Sequence, residues 1–356
     1  MMNETAKWMA KVRKVTPYVP GEQPEEENRI KLNTNENPYP PSPKVFERFR
    51  KVDVSSFSLY PELSAASLVR SLAAYHGISE QEVFVGVGSD DVLSMSFLTF
   101  FNSGKPILFP DITYSFYPVW AQVYRIPYEL RPLRADFAID PADYRKENGG
   151  IVIANPNAPT SIGLPASAIE DIVRANPEVV VIVDEAYVDF GGETVLPLIG
   201  KYDNLLVVRT YSKSRSMAGL RIGYAMGNPL LIQALNDVKE SVNSYTMNTV
   251  SILCGMASLE DEPYFRSNLD KIMTTRERVK AELEALGFEV KPSQTNFLFA
   301  SHKTIPAGQI FERLKERHIY VRYFQKDRID NFLRITVGTD EQMEIFVDAV
   351  KEITAV

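Results

Sequence analysis

Val179-Val-Val-Ile-Val-Asp184-Glu185-Ala186-Tyr187 is an unbroken apolar run that ends abruptly in two acids and a tyrosine. A strand apolar on both faces belongs in a sheet covered on both sides, the habit of largely parallel α/β sheets. Ligands of such sheets bind beyond the carboxyl ends of the strands, which is where Asp184 and Tyr187 fall. A buried carboxylate is costly without a partner, so one at this place calls for a cation. The bland alternative is a solvated loop acid or a helix cap.

Working outward, the next run, Leu205-Leu-Val-Val-Arg209, leads straight into Thr210-Tyr211-Ser212-Lys213. A lysine at a strand's carboxyl end inside a pocket can form an imine, and flanking hydroxyls suit an anion. The alternative is a surface lysine. Ala218-Gly219-Leu220-Arg221-Ile222-Gly223 then offers an arginine for bidentate phosphate contact, between glycines that permit close backbone approach. Upstream, Gly86-Val-Gly88-Ser89-Asp90-Asp91 joins a strand (Val83 to Val87) to a helix (Asp90 to Phe101), an anion site at a helix N-terminus or a plain cap. It is not a Walker loop, and it lacks the third glycine of a dinucleotide fingerprint. Asn155-Pro156-Asn157-Ala158-Pro159-Thr160 follows the run Ile151 to Ala154. Its amides could hold a phenolic oxygen, or it is an ordinary Asn/Pro turn.

Pro106 to Phe109 supplies another short strand, and Leu63 to His76 reads as a helix stopped by Gly77. Beyond residue 245 the pattern changes. Helices are expected at Ser251 to Leu259, Tyr264 to Leu286, 307–318 and 340–353. Strands are expected at Phe288 to Val290, Asn296 to Phe299, Tyr320 to Arg322 and Leu333 to Thr336. Residues 1–43, punctuated by prolines, read as an extended arm. The expected division is an arm (1–43) joining a small C-terminal α+β domain (246–356), and a large ligand-binding domain (44–245).

The net charge of −7, from 39 Lys and Arg against 46 Asp and Glu, argues against general affinity for nucleic acid or anionic membrane. The single cysteine, Cys254, excludes an internal disulfide and fits a reducing compartment. Three histidines without a close Cys/His cluster argue against a zinc site. No apolar run has membrane-spanning length, and Met1 to Lys14 lacks the apolar core of a signal peptide. A cytoplasmic protein is expected.

Taken in order, these stretches resemble the fold-type I pyridoxal-phosphate aminotransferases, in the histidinol-phosphate aminotransferase branch. The resemblance runs nearly end to end. It includes Leu32-Asn-Thr-Asn35-Glu36-Asn37-Pro38-Tyr39, Tyr60-Pro61-Glu62, Asn155 to Thr160, Asp184 to Tyr187, Ser212-Lys213 with Arg221, and Leu333-Arg334-Ile-Thr-Val-Gly338-Thr339. It implies a large domain with a mostly parallel seven-stranded sheet and a smaller α+β domain. It also implies pyridoxal 5'-phosphate as an internal aldimine on Lys213, which carries the proton during turnover. Asp184 would pair with the pyridinium nitrogen, so that the ring can act as an electron sink. Tyr187 and Asn157 would hold the phenolic oxygen, and Tyr114 would stack on the ring. Ser89, Asp90 (through its backbone N–H), Thr210, Ser212 and Arg221 would cradle the phosphate, and Tyr60 would reach the neighbouring site of a homodimer. Arg334 resembles the arginine that takes the glutamate carboxylate and Arg322 one that takes a substrate phosphate, with Tyr18 and Asn157 beside the substrate.

The implied reaction is ping-pong transamination between histidinol phosphate and 2-oxoglutarate, a step of histidine biosynthesis. The alternatives are a threonine-phosphate decarboxylase, an aromatic or other amino-acid aminotransferase, and a catalytically silent binding module on the same fold. Three positions depart from the family pattern: Ser161 where glycine is usual, Asp90-Asp91 where Asp-Glu is usual, and Ser214-Arg215 after the lysine. Arg215 could reach substrate, a phosphate or only the surface.

Overall fold

The computed structural model describes residues 7–26 and 28–355. Residues 1–6, part of the opening read as lacking a signal-peptide pattern, lie outside the described residues. In chain order the strands are β1 (Ile30–Leu32), β2 (Val83–Gly86), β3 (Ile107–Pro110), β4 (Tyr128–Arg131), β5 (Ile151–Ala154), β6 (Val181–Asp184), β7 (Leu205–Thr210), β8 (Gly223–Gly227), β9 (Phe288–Val290), β10 (Phe297–His302), β11 (Ile319–Tyr323) and β12 (Leu333–Thr336). The α-helices are α1 (Pro43–Arg50), α2 (Ala66–His76), α3 (Ser89–Phe100), α4 (Tyr117–Tyr124), α5 (Ala166–Ala175), α6 (Pro229–Val242), α7 (Thr249–Leu259), α8 (Glu262–Ala285), α9 (Ala307–Lys315) and α10 (Asp340–Thr354).

The buried runs assemble into one seven-stranded sheet, ordered β2-β8-β7-β6-β5-β3-β4. Pairing is parallel from β7 through β6, β5 and β3 to β4, while β8 runs antiparallel to both β2 and β7. Alternate side chains enter two separate apolar layers. Val181, Val183, Ile153 and Val207 pack with α2, α5 and α7 on one face. Ile182, Val152, Leu206 and Val208 pack with α3, α4 and α6 on the other. Two covered faces are what made the run at 181–183 apolar without alternation.

Two strands of this sheet carried no such signal. β4 is an edge strand whose side chains alternate between exposed and half-buried. β8 is bounded by glycines, Gly223 and Gly227, and its Tyr-Ala-Met interior is short.

A second sheet, ordered β1-β11-β12-β10-β9, is covered by α8, α9 and α10. β1 comes from the arm and pairs parallel with β11, burying Leu32. The expected stop at Gly77 is a left-handed cap (φ 69°) on α2. α9 ends at Lys315, short of 318, because the chain turns at His318 (φ 59°). Among the described residues no helix is long and apolar enough to cross a membrane.

Candidate active site

β6 delivers its two acids to opposite sides. Glu185 turns inward to a structural network, 2.8 Å from Arg209 and accepting from Thr194 Oγ1 and the Val195 N–H. Asp184 faces a cleft between the two sheets and is 5% exposed. It accepts from the Tyr117 hydroxyl at 2.9 Å and from the Ala186 N–H at 3.2 Å. Burial outweighs these two bonds and pushes its carboxyl up to about 6. Among the described residues it has no cationic side-chain partner. Tyr117 was not foreseen, because nothing in Tyr114-Ser-Phe-Tyr117 marks the fourth residue as the one that turns back under β6.

The antiparallel run of β8 places its first residue at the carboxyl end of its neighbours. Gly223 pairs with Gly86 on one side and Thr210 on the other. A Cβ on Gly223 would lie 2.3 Å from Ser89 N, and one on Gly88 (φ 84°) would lie 2.4 Å from Arg221 Nη2. Glycine alone allows this approach. It gathers the N-terminus of α3 at Ser89 and Asp90, the hydroxyls of Thr210 and Ser212, and the Arg221 guanidinium around one spot, an anion cradle. The Asp90 carboxylate also contributes. It accepts from the Tyr114 hydroxyl at 2.8 Å and lies 3.2 Å from Arg221 Nη2, steering both.

Lys213 follows β7 into the cleft and donates to the Thr34 carbonyl at 3.1 Å. Its Nζ lies 5.8 Å from the centre of the Tyr187 ring. The Tyr187 hydroxyl accepts from Asn35 Nδ2 at 2.9 Å. Across the cleft Arg334 is half-buried, donates to the Asn33 carbonyl at 2.7 Å, and has a buried Nε without a partner among the described residues. Burial works against its charge. Arg322 reaches the Val19 and Pro20 carbonyls at 3.2 Å, and Tyr18 stacks on Phe116 with centroids 4.2 Å apart.

Every expected site residue lines this cleft except Asn157 and Tyr60. Asn157 lies just behind the lining of the cleft, between Pro156 and Ala158. Its amide donates to the Ile112 carbonyl at 2.9 Å and Thr160 Oγ1 at 2.8 Å, and its oxygen accepts from Thr113 Oγ1. These bonds tie its loop to residues 112 and 113, and its neighbours Pro156 and Ala158 line the cleft. Tyr60 lies outside this chain's own cleft, 81% exposed and stacked on Tyr245. Arg215 does not reach the cleft either. It is buried over Phe265 at 4.1 Å and Tyr75 at 4.9 Å and donates to the Ser258 carbonyl, so it is a packing element. Ser161 adopts a left-handed conformation (φ 66°), where glycine is easiest, and its hydroxyl donates to the Pro292 carbonyl at 2.9 Å.

An amine, an unpaired buried carboxylate, an aromatic face and a glycine-shaped anion cradle fit a flat, phosphorylated pyridine aldehyde. The cradle is decisive, since a single Cβ at Gly223 would collide with the Gly88–Ser89 backbone that forms it.

The family model for aminotransferase class I and II matches residues 27–350. The histidinol-phosphate aminotransferase of Clostridium acetobutylicum is 52% identical over 348 residues, covering 98% of this chain and 99% of that protein. Histidinol-phosphate aminotransferase 2 of Dechloromonas aromatica is 52% identical over 351 residues, with 98% and 99% covered. The solved histidinol-phosphate aminotransferase of Sinorhizobium meliloti, in complex with pyridoxal-5'-phosphate, superposes with a TM-score of 0.84. It covers 92% of this chain and 91% of that one at 23% identity, a likeness of fold.

Proposed function

Since this chain belongs to the aminotransferase class I and II family, we propose that it exchanges an amino group between histidinol phosphate and 2-oxoglutarate, using pyridoxal 5'-phosphate held by Lys213. The observation that carries this reading is one cleft holding Lys213, Asp184 and Arg221 on one wall and two further arginines, Arg322 and Arg334, on the other.

Asp184 keeps the ring nitrogen protonated, and Tyr117 holds that carboxylate in place. Tyr114 covers a ring face. The Ser89 and Asp90 N–H groups, Thr210, Ser212 and Arg221 bind the phosphate. Tyr187 donates to the phenolic oxygen. When bound, the cofactor supplies an electron-accepting ring that stabilises the charge left on a substrate's Cα. Lys213 Nζ takes the Cα proton and gives it back, because it is the mobile base in the cleft. Arg334 takes the carboxylate of glutamate or 2-oxoglutarate, which gives its unpartnered Nε an acceptor. Arg322, beside Tyr18, takes the substrate phosphate. Two cations let one site accept both partners in turn, as a ping-pong order requires.

The joining of the arm (1–43) to the small part is supported by the pairing of β1 with β11. α7 packs on the large sheet, so the large part extends from 44 past 245 to the end of α7, and the small part begins after it rather than at 246. A homodimer is supported by a run of exposed apolar side chains, Val54, Phe57, Leu59, Tyr60 and Leu63, around the tyrosine expected to reach the neighbouring phosphate. The buried, unpaired Cys254 suits a reducing cytoplasm.

The test is the near-ultraviolet and visible absorbance of the purified, cofactor-loaded protein. Histidinol phosphate should bleach the visible band and 2-oxoglutarate should restore it. A band indifferent to histidinol phosphate rejects that substrate. A protein that takes up no cofactor, or a Lys213→Ala variant that keeps the visible band and turnover, overturns the reading as a whole.

A further inference from the structure

Asn35 stands where the arm, the second sheet and the ring-facing tyrosine meet. It is 1% exposed and left-handed (φ 56°), a conformation that asparagine tolerates. Its backbone N–H donates to Thr336 Oγ1 at 3.0 Å on β12, and Asn296 Nδ2 donates to its carbonyl at 3.0 Å. The Thr336 hydroxyl, already an acceptor, turns its own proton to Asn35 Oδ1 at 3.1 Å. That contact fits an amide assigned with Oδ1 toward Thr336. Oδ1 faces Thr336, so Nδ2 faces Tyr187 and donates to its hydroxyl at 2.9 Å.

A phenol has one proton. With its oxygen already accepting from Nδ2, the Tyr187 O–H is left to donate into the cleft. Aimed this way, the Tyr187 proton is available to the phenolic oxygen of a bound ring.

We propose that Asn35 is a positioning residue: its amide sets the direction of the Tyr187 hydroxyl proton and ties it to the strand that carries Arg334. The proposal rests on the pyridoxal-phosphate reading. Arg334 and Thr336 share a face of β12, so the anion-binding arginine and the phenol are joined through this one side chain.

The consequence is spectroscopic. A donor to the phenolic oxygen draws charge from it and weakens its hold on the neighbouring proton. Losing that donor therefore raises the pH at which the visible band titrates. Asn35→Gly removes the amide but keeps the left-handed backbone. In the full-length, cofactor-loaded protein it should raise the titration midpoint by about half to one pH unit, part of the worth of a hydrogen bond to a charged group. Thr336→Val, which unpins the amide, should move the midpoint the same way by less. In a Tyr187→Phe background Asn35→Gly should move it no further, since no hydroxyl remains to be aimed. An unmoved midpoint in Asn35→Gly, or an equal shift with and without the Tyr187 hydroxyl, overturns the proposal while the cofactor reading stands. A wild-type protein without a visible band removes both.

Discussion

Asp184 shows how a single side chain can serve function at a cost to the fold. Its carboxyl is raised from 3.8 to about 6 by burial, so the folded cofactor-free protein holds this proton more tightly than the unfolded chain does. Stability from this group is complete below the unfolded value and is lost as pH rises through the folded one. Asp184→Asn should therefore stabilise the cofactor-free protein at neutral pH by about 1–3 kcal/mol, with the advantage vanishing as pH falls toward 3.8. Thermal melts across that range check this, and turnover should be lost. Arg322→Ala should lower kcat/KM for histidinol phosphate about tenfold or more with little effect on glutamate, a charge-assisted contact being at stake. Equal losses would remove Arg322 from the phosphate. At this scale the sequence was a good guide wherever a polar residue interrupted an apolar run, as at Asp184 and Lys213. It gave no sign of Tyr117, an aromatic among aromatics.

At the scale of elements, the meeting of β2, β8 and the start of α3 decides whether phosphate can bind. Gly223→Ala should weaken pyridoxal-phosphate binding about tenfold or more, because its Cβ would push on the Ser89 amide and overpacking costs ~1–3 kcal/mol. Gly200→Ala, where a Cβ meets nothing within 4 Å, should leave binding unchanged. Equilibrium dialysis of the cofactor separates the two. The inner parallel strands β3, β5, β6 and β7 were legible because each is buried on both faces. β8 was not, because two glycines and three interior residues carry no periodicity, and its direction follows from its neighbours β2 and β7. β4 was missed because an edge strand needs only half-apolar side chains.

For the whole molecule, the exposed apolar run from Val54 to Leu63 should be covered by a second copy of the chain. Light scattering should give twice the chain mass. Leu59→Asp should shift the protein to monomers and weaken cofactor binding, while Tyr60→Phe should keep the dimer and lower cofactor affinity alone. A fully active monomer would remove Tyr60 from the neighbouring site. The sequence by itself determined the sheet's covered strands other than β8, and which polar stretches stand at their carboxyl ends, because burial and punctuation are local and leave their mark on consecutive residues. The tertiary structure alone decided which polar groups are used up. Glu185 goes to Arg209, Asn157 to Ile112 and Thr113, Arg215 to an aromatic cage and Asn35 to Tyr187. Each of those choices depends on a partner far away in the chain, and hydrogen-bond satisfaction is settled only when the partners meet.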